Sequence, residues 1–207
     1  MSHGRAGQAR LGCFLAIVAI GCFVAGGQAV YTGIRNRSPL EVSCADYLAQ
    51  KPAGEWLRLK GCALDLADAT FFKDKDSDRI KTAFIPIRPV GASDSAPLEL
   101  LLQTQGSAYL DVLNKIQAVG NDEARLTEYM TANADKVFPE KDVEGLIAWG
   151  IDVEEKQLDE IRRLNKSLKP DFKILMDGAA PSLGFGLLMI AGGFVAGAIL
   201  WRVIRAG

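Results

Sequence analysis

Two uncharged apolar runs, at residues 11–34 and 179–201, flank a middle segment in which apolar and polar positions alternate over short stretches. Each run exceeds the ~18–20 residues a helix needs to cross a bilayer. The pattern therefore predicts an N-terminal tail (1–10), a first membrane span (11–34), one extramembrane domain (35–178), a second span (179–201) and a C-terminal tail (202–207).

Inside the domain, Leu40, Glu41 and Val42 read as a short extended piece. Ser43 with Asp46 three residues on forms a small capping box, predicting a helix to Gln50 that Pro52 and Gly54 break. Residues 56–60 alternate as a strand, and Gly61 marks a bulge or bend before a second extended piece at 62–72. A charged loop (73–81) leads to a third strand (82–90), which Pro86 places at a sheet edge because proline donates no ladder hydrogen bond. A fourth strand covers 97–103.

Helical spacing follows. Tyr109, Leu113 and Ile116 share one face, and Asn121 caps a second helix carrying Ala124, Met130 and Val137 as far as the Phe138-Pro139 stop. A strand at 143–149 precedes a third helix opened by Asp152 and Glu155, with Leu158, Ile161, Leu164 and Leu168 inward. A last strand covers 172–176. The expected class is α+β: two transmembrane helices around a domain of three to four helices and a small, mostly antiparallel sheet or barrel of the OB or SH3 type.

Charge orients this arrangement. All 25 acidic residues lie between the apolar runs, whereas the tails carry Arg5, Arg10, Arg202 and Arg205 and no acid. Arginine-only tails belong in the cytoplasm by the positive-inside rule, which places the domain outside it, in the periplasm of a bacterial inner membrane. Arg35, Arg37 and the basic residues before the second run argue the other way, but a loop this long translocates largely regardless of charge. Residues 11–29 also fit a signal peptide ending at Gly27-Gln28-Ala29, although the apolar run outlasts a usual signal core. An acidic domain without a basic face is not expected to bind nucleic acid.

Small residues recur in both runs, with Gly21 and Ala25 in the first and Gly193-x-x-x-Gly197 in the second. That spacing lets helix backbones approach closely, so the two spans are expected to pack together or to pair with another chain. The bilayer and a protein partner or second copy are thus the expected partners. Neither run holds a charge, which argues against an ion pathway built from these helices alone.

The chemical equipment is sparse. His3 is the single histidine and lies in the tail, which removes the commonest general base and the histidine-activated nucleophiles. Cys44 and Cys62 are the only cysteines of the domain. They are too few for a four-ligand zinc site, but form a disulfide candidate on an oxidising side of the membrane. The alternative for them is two small buried apolar side chains. Asp74, Asp76 and Asp78 resemble the start of a calcium loop, but Arg79 stands where the loop needs glycine and Ile85 where it needs glutamate, so a solvated loop is the expectation. Asp65 and Asp68 read as surface acids, and no glycine-rich phosphate loop or cofactor motif occurs. The leading functional expectation is a non-enzymatic two-pass protein whose extracytoplasmic domain binds or scaffolds a partner. The alternatives are a membrane-associated enzyme using carboxylate or metal chemistry around residues 65–78 and an accessory subunit of a transporter.

Overall fold

The computed structural model describes residues 3–74, 77–93, 96–120, 122–148 and 153–206. Its elements run α1 (His3–Arg35), β1 (Leu40–Ser43), α2 (Cys44–Gln50), β2 (Trp56–Leu64), β3 (Thr70–Lys73), β4 (Ile80–Pro89), β5 (Leu98–Thr104), α3 (Ser107–Val119), α4 (Glu123–Ala132), α5 (Ala134–Val137), β6 (Glu140–Ile147), α6 (Glu155–Leu164), β7 (Leu168–Asp177) and α7 (Leu183–Ala206). They form two compact units, one of α1 and α7 and one of Ser38–Ala180.

In the second unit, β2, β6, β7, β5 and β4 pair in that order, and β4 returns to β2, closing a five-stranded barrel. β1 adds beside β2, and β3 beside β4. All pairings are antiparallel except β5–β7 and β1–β2. The expectation of an α+β domain holds, with five helices among its described residues.

The hydrophobic pattern of β2 explains its bulge. Leu57 and Leu59 point inward, as do Cys62 and Leu64, and these two pairs differ in parity. One extra residue must therefore be absorbed between them. The register with β6 jumps between Leu59 and Cys62. Gly61 there takes a φ of 65°, and its N–H donates to Asp142 Oδ1 at 3.1 Å. Ser43 caps α2 as its spacing implies: the Asp46 N–H donates to Ser43 Oγ at 3.0 Å, and the hydroxyl donates to the Asp46 carboxylate at 2.6 Å.

Three sequence expectations need correction. β4 is not an edge strand. One side of it pairs β5, and the other pairs β3 over residues 80–84 and then β2 over 87–89. Pro86 falls in the gap between those two partners, so its missing N–H removes no rung on that side. Leu164 and Leu168 do not continue the buried stripe of α6. The helix ends at Leu164, which is 55% exposed, and Leu168 begins β7. The helix caps also move. Asp122 caps α4, its side chain accepting from the Arg125 N–H, and Glu154 stands at the N-cap of α6. Asn121 and Asp152 lie outside the described residues, as do Trp149 and Asp76.

Strand alternation builds two cores on opposite faces of one sheet. Ala83, Ile85, Ile87, Leu100, Leu102 and Leu175 fill the barrel interior with the β2 residues above. Phe84, Leu101 and Ile174 point outward and are covered by Val153 and by Leu158 and Ile161 of α6, with Phe72 edge-on to Phe84 at 5.7 Å. Asn165 ties this cover down, donating to Thr70 Oγ1 at 3.0 Å. The apolar run of β4 is thus long because both of its faces are buried.

In the first unit, the segments Gly12–Arg35 and Leu183–Arg205 are long and apolar enough to cross a membrane. They pack antiparallel: Gly33 lies against Leu183, Gly12 against Leu200, and Phe23 meets Phe194 edge-on at 5.0 Å. Backbone meets backbone at Gly26 and Gly186. A β carbon on Gly26 would sit 2.8 Å from the Gly186 carbonyl oxygen. Of the expected packing residues, Gly193 is in this contact, beside Cys22 and Phe23. Gly197 and Gly21 face open space and Ala25 is exposed, so they play no part in it. Close packing selects the small residues on the facing sides of the helices, and helical spacing alone does not identify those sides.

Candidate functional site: a pocket on the barrel wall

The bulge in β2 places Ala63 on the outer wall, in register with Arg88 of β4 on one side and Glu140 of β6 on the other. Directly opposed residues on neighbouring strands lie about 5 Å apart at Cβ, so the methyl group of Ala63 forms a low floor between two long charged side chains. Asp65, the next outward residue of the chain, stands over that floor. Pro89, Gly91, Ala92 and Phe138 also line it, bounding an open pocket of about 350 Å³. That volume lies at the small end of the range for ligand pockets.

The charges are unevenly available. Arg88 is only 12% exposed, and its guanidinium faces the Asp65 carboxylate at 3.5 Å. Asp65 Oδ1 also accepts from the Asp68 N–H at 3.1 Å. Partial burial, and then the neighbouring Asp65, push the Asp68 carboxyl above its ordinary value, with Arg88 opposing them. Glu140 is exposed at the rim beside Phe138, whose ring is 41% exposed. The accessible chemistry of the pocket is thus a carboxylate beside an aromatic face, with the guanidinium already answered from behind.

The other sequence-predicted residues fall elsewhere. Cys44 and Cys62 are both fully buried and come together. A hydrogen bond with Cys44, followed by burial, holds the Cys62 thiol far above the ordinary thiol range. They stand as two free thiols, packed into the barrel core. Of the acidic loop, Asp74 and Asp78 are among the described residues. The Asp74 N–H donates to the Arg79 carbonyl at 3.0 Å, and the Asp78 carboxylate is taken by Lys73 Nζ at 2.6 Å. Among the described residues, no group of three side chains is placed to hold a metal ion.

Two charge arrays went unread in the sequence. Glu41, Arg58 and Glu144 are in register across β1, β2 and β6, with Arg58 bonded to both acids at 2.7–2.8 Å. Lys51 reaches Glu99 at 2.8 Å and Asp171 at 3.3 Å, and Lys169 also pairs with Glu99. Except for the largely buried Glu99, both are exposed or half-exposed networks whose members answer one another. They are structural charge ladders. Of the pocket residues, the sequence marked only Asp65 as a candidate for chemistry and Phe138 as a helix stop, because register across three strands brings the members together.

No family model matches the chain, and no curated protein or solved structure matches it significantly.

Proposed function

We propose that the chain is a two-pass membrane protein whose barrel domain lies outside the cytoplasm and binds a partner through the pocket over Ala63, acting as a binding or scaffolding module without catalysis. The observation that carries this reading is a concave site of open carboxylate and aromatic character on a domain bracketed by two apolar helices. The arginine-only tails support the orientation.

We also read the barrel as an OB type. Numbered along the chain, its five strands pair first to second to third to fifth to fourth and back to first, with the third and fifth parallel and helices inserted between the third and fourth. This is the Greek-key order of that class. OB-type barrels take ligands against their second and third strands. In this chain the outer face of those strands, at Phe84 and Leu101, is covered by α6. Binding therefore moves to the wall formed by β4, β2 and β6. The buried customary face and the acidic balance both count against nucleic acid.

A second reading has one observation in its favour. Asp65 and Asp68 form a carboxylate pair in which Asp68 is held above its ordinary value, the arrangement that separates acid and base roles in carboxylate enzymes. With Asp65 committed to Arg88, partner binding is the better account.

A photo-crosslinking residue at Ala92, on the pocket rim, tests the leading reading in cells. It is expected to give a discrete adduct that Ala63→Phe abolishes, while the same probe at the exposed Leu164 gives none. Equal adducts at both positions would sink the proposal. For orientation, Glu128→Cys on α4 should react with a membrane-impermeant maleimide in intact cells, above the background of the unsubstituted chain. Labelling only after lysis would put the domain in the cytoplasm.

A further inference from the structure

The pocket also constrains what it can take. Resting on the reading above, we infer that it accepts a cationic group on an aliphatic stem, delivered as a lysine or arginine side chain of a protein partner. The floor and walls are apolar: Ala63, Pro89, Ala92 and the ring of Phe138. Such surfaces suit the methylene stem of a long basic side chain, whose charged end then reaches polar groups at the far end of its length.

Those polar groups carry a negative balance. Asp65 and Glu140 line the pocket against the single positive charge of Arg88. Arg88 is mostly buried and paired with Asp65, so an entering anion would have to compete with that carboxylate while facing Glu140. An entering cation meets no such obstacle. Glu140 is exposed at the rim, and Phe138 beside it is 41% exposed and offers an aromatic ring to which cations are drawn. The neighbouring cation Lys141 does not fill this position, since its ammonium lies over the ring of Tyr109 at 4.6 Å.

A side chain is favoured over a free amine because the pocket is shallow and open. A lone ammonium held by one exposed carboxylate and one ring gains little. A partner surface supplies the remaining contact area and holds the stem in place.

The test is saturation-transfer NMR on the full chain in mild detergent at low salt, with empty micelles as background. The probes are N-acetyl-lysine methylamide, N-acetyl-arginine methylamide, the neutral N-acetyl-norleucine methylamide, butylamine and N-acetyl-glycine. The two basic amino-acid probes are expected to receive saturation, and the norleucine probe is not. Glu140→Gln should weaken the basic probes by about two- to fivefold, as should Phe138→Leu, and Ala63→Phe should abolish their signal. High salt should also remove it.

Saturation of the norleucine probe equal to that of the lysine probe would overturn the inference. So would indifference to Glu140→Gln. Butylamine binding without the amino-acid probes would overturn the assignment to a side chain. If N-acetyl-glycine alone binds and Ala63→Phe removes it, the pocket reading stands and the cationic class falls. If no probe responds to Ala63→Phe, to the smaller Ala63→Leu or to Glu140→Gln, the pocket reading falls as well.

Discussion

Gly145 is the position where the barrel tolerates least. It lies in β6 opposite Asp177 of β7. A β carbon built on it would sit 2.2 Å from the Met176 carbonyl oxygen, 2.9 Å from the carbonyl carbon and 3.0 Å from Leu175 Cγ. Carbon–oxygen contacts of this kind ordinarily settle near 3.3 Å or more, so Gly145→Ala must force the two strands apart by about 1 Å. The obstacle is backbone, which has no alternative rotamer. Overpacking of this kind costs about 1–3 kcal/mol. Opening the short β6–β7 ladder weakens two or three hydrogen bonds, at about 1 kcal/mol each. Alanine recovers roughly 0.5–1 kcal/mol of glycine's backbone entropy, leaving a net loss of about 2–5 kcal/mol. For a domain of this size that is a fall of roughly 6–20 °C in Tm. The assay is thermal unfolding of the full chain in mild detergent, followed by near-ultraviolet circular dichroism, which reports side-chain packing. Gly61→Ala is the internal standard. No atom lies within 4 Å of its β carbon and only its φ of 65° resists substitution, so its cost is about 1–2 kcal/mol. A Gly145→Ala variant that melts within about 3 °C of the parent, or above Gly61→Ala, would refute the close-approach argument.

Other expectations can be checked directly. A β carbon on Gly193 would lie 3.3 Å from that of Cys22, close to the disulfide range of about 3.5–4.5 Å. Gly193→Cys should therefore form an intramolecular bond with Cys22 under mild oxidation, seen by peptide mass mapping, and Gly26→Leu should prevent it. Only intermolecular products would contradict the hairpin of α1 and α7. Asp68 holds its proton more tightly in the folded chain than its ordinary value of 3.8 implies. Stability should therefore fall as pH rises through and just above that value, and Asp68→Asn should flatten this slope and be at least as stable at pH 7. Urea titrations across pH decide it, and a variant weaker at pH 7 would reverse the sign. Cys44 and Cys62 are both fully buried, so neither should react with maleimide in the native protein. Denatured without reductant, the chain should take label at both, four equivalents in all with Cys13 and Cys22. Label at Cys13 and Cys22 alone, with Cys44 and Cys62 reacting only after reduction, would establish a disulfide instead.

Local chemistry was legible wherever one stretch of chain suffices to specify it. The two apolar helices follow from length and composition. The Ser43–Asp46 cap follows from a three-residue spacing, and the Gly61 bulge from a parity change between two pairs of inward residues. The α+β class and the small barrel follow from short alternating strands with inserted helices. The departure of the Asp74–Asp78 stretch from a calcium-loop pattern is likewise written in Arg79 and Ile85.

What the tertiary structure decided depends on which strands become neighbours. Pro86 reads as an edge signal, yet it sits inside the barrel wall, because the side of β4 that it interrupts changes partner there. Leu164 continues the period of α6 but is exposed, because β7 begins before another turn can form. Glycine spacing in the apolar helices identifies small residues without identifying the face that meets the other helix, so Gly26 and Gly186 emerge only from the packing. The pocket is the clearest case. Ala63, Arg88 and Glu140 are far apart in the chain and individually unremarked. They become one site because antiparallel register places a small side chain between two long charged ones. Sequence encodes a residue's conformational preferences locally, whereas register is a property of the closed sheet as a whole.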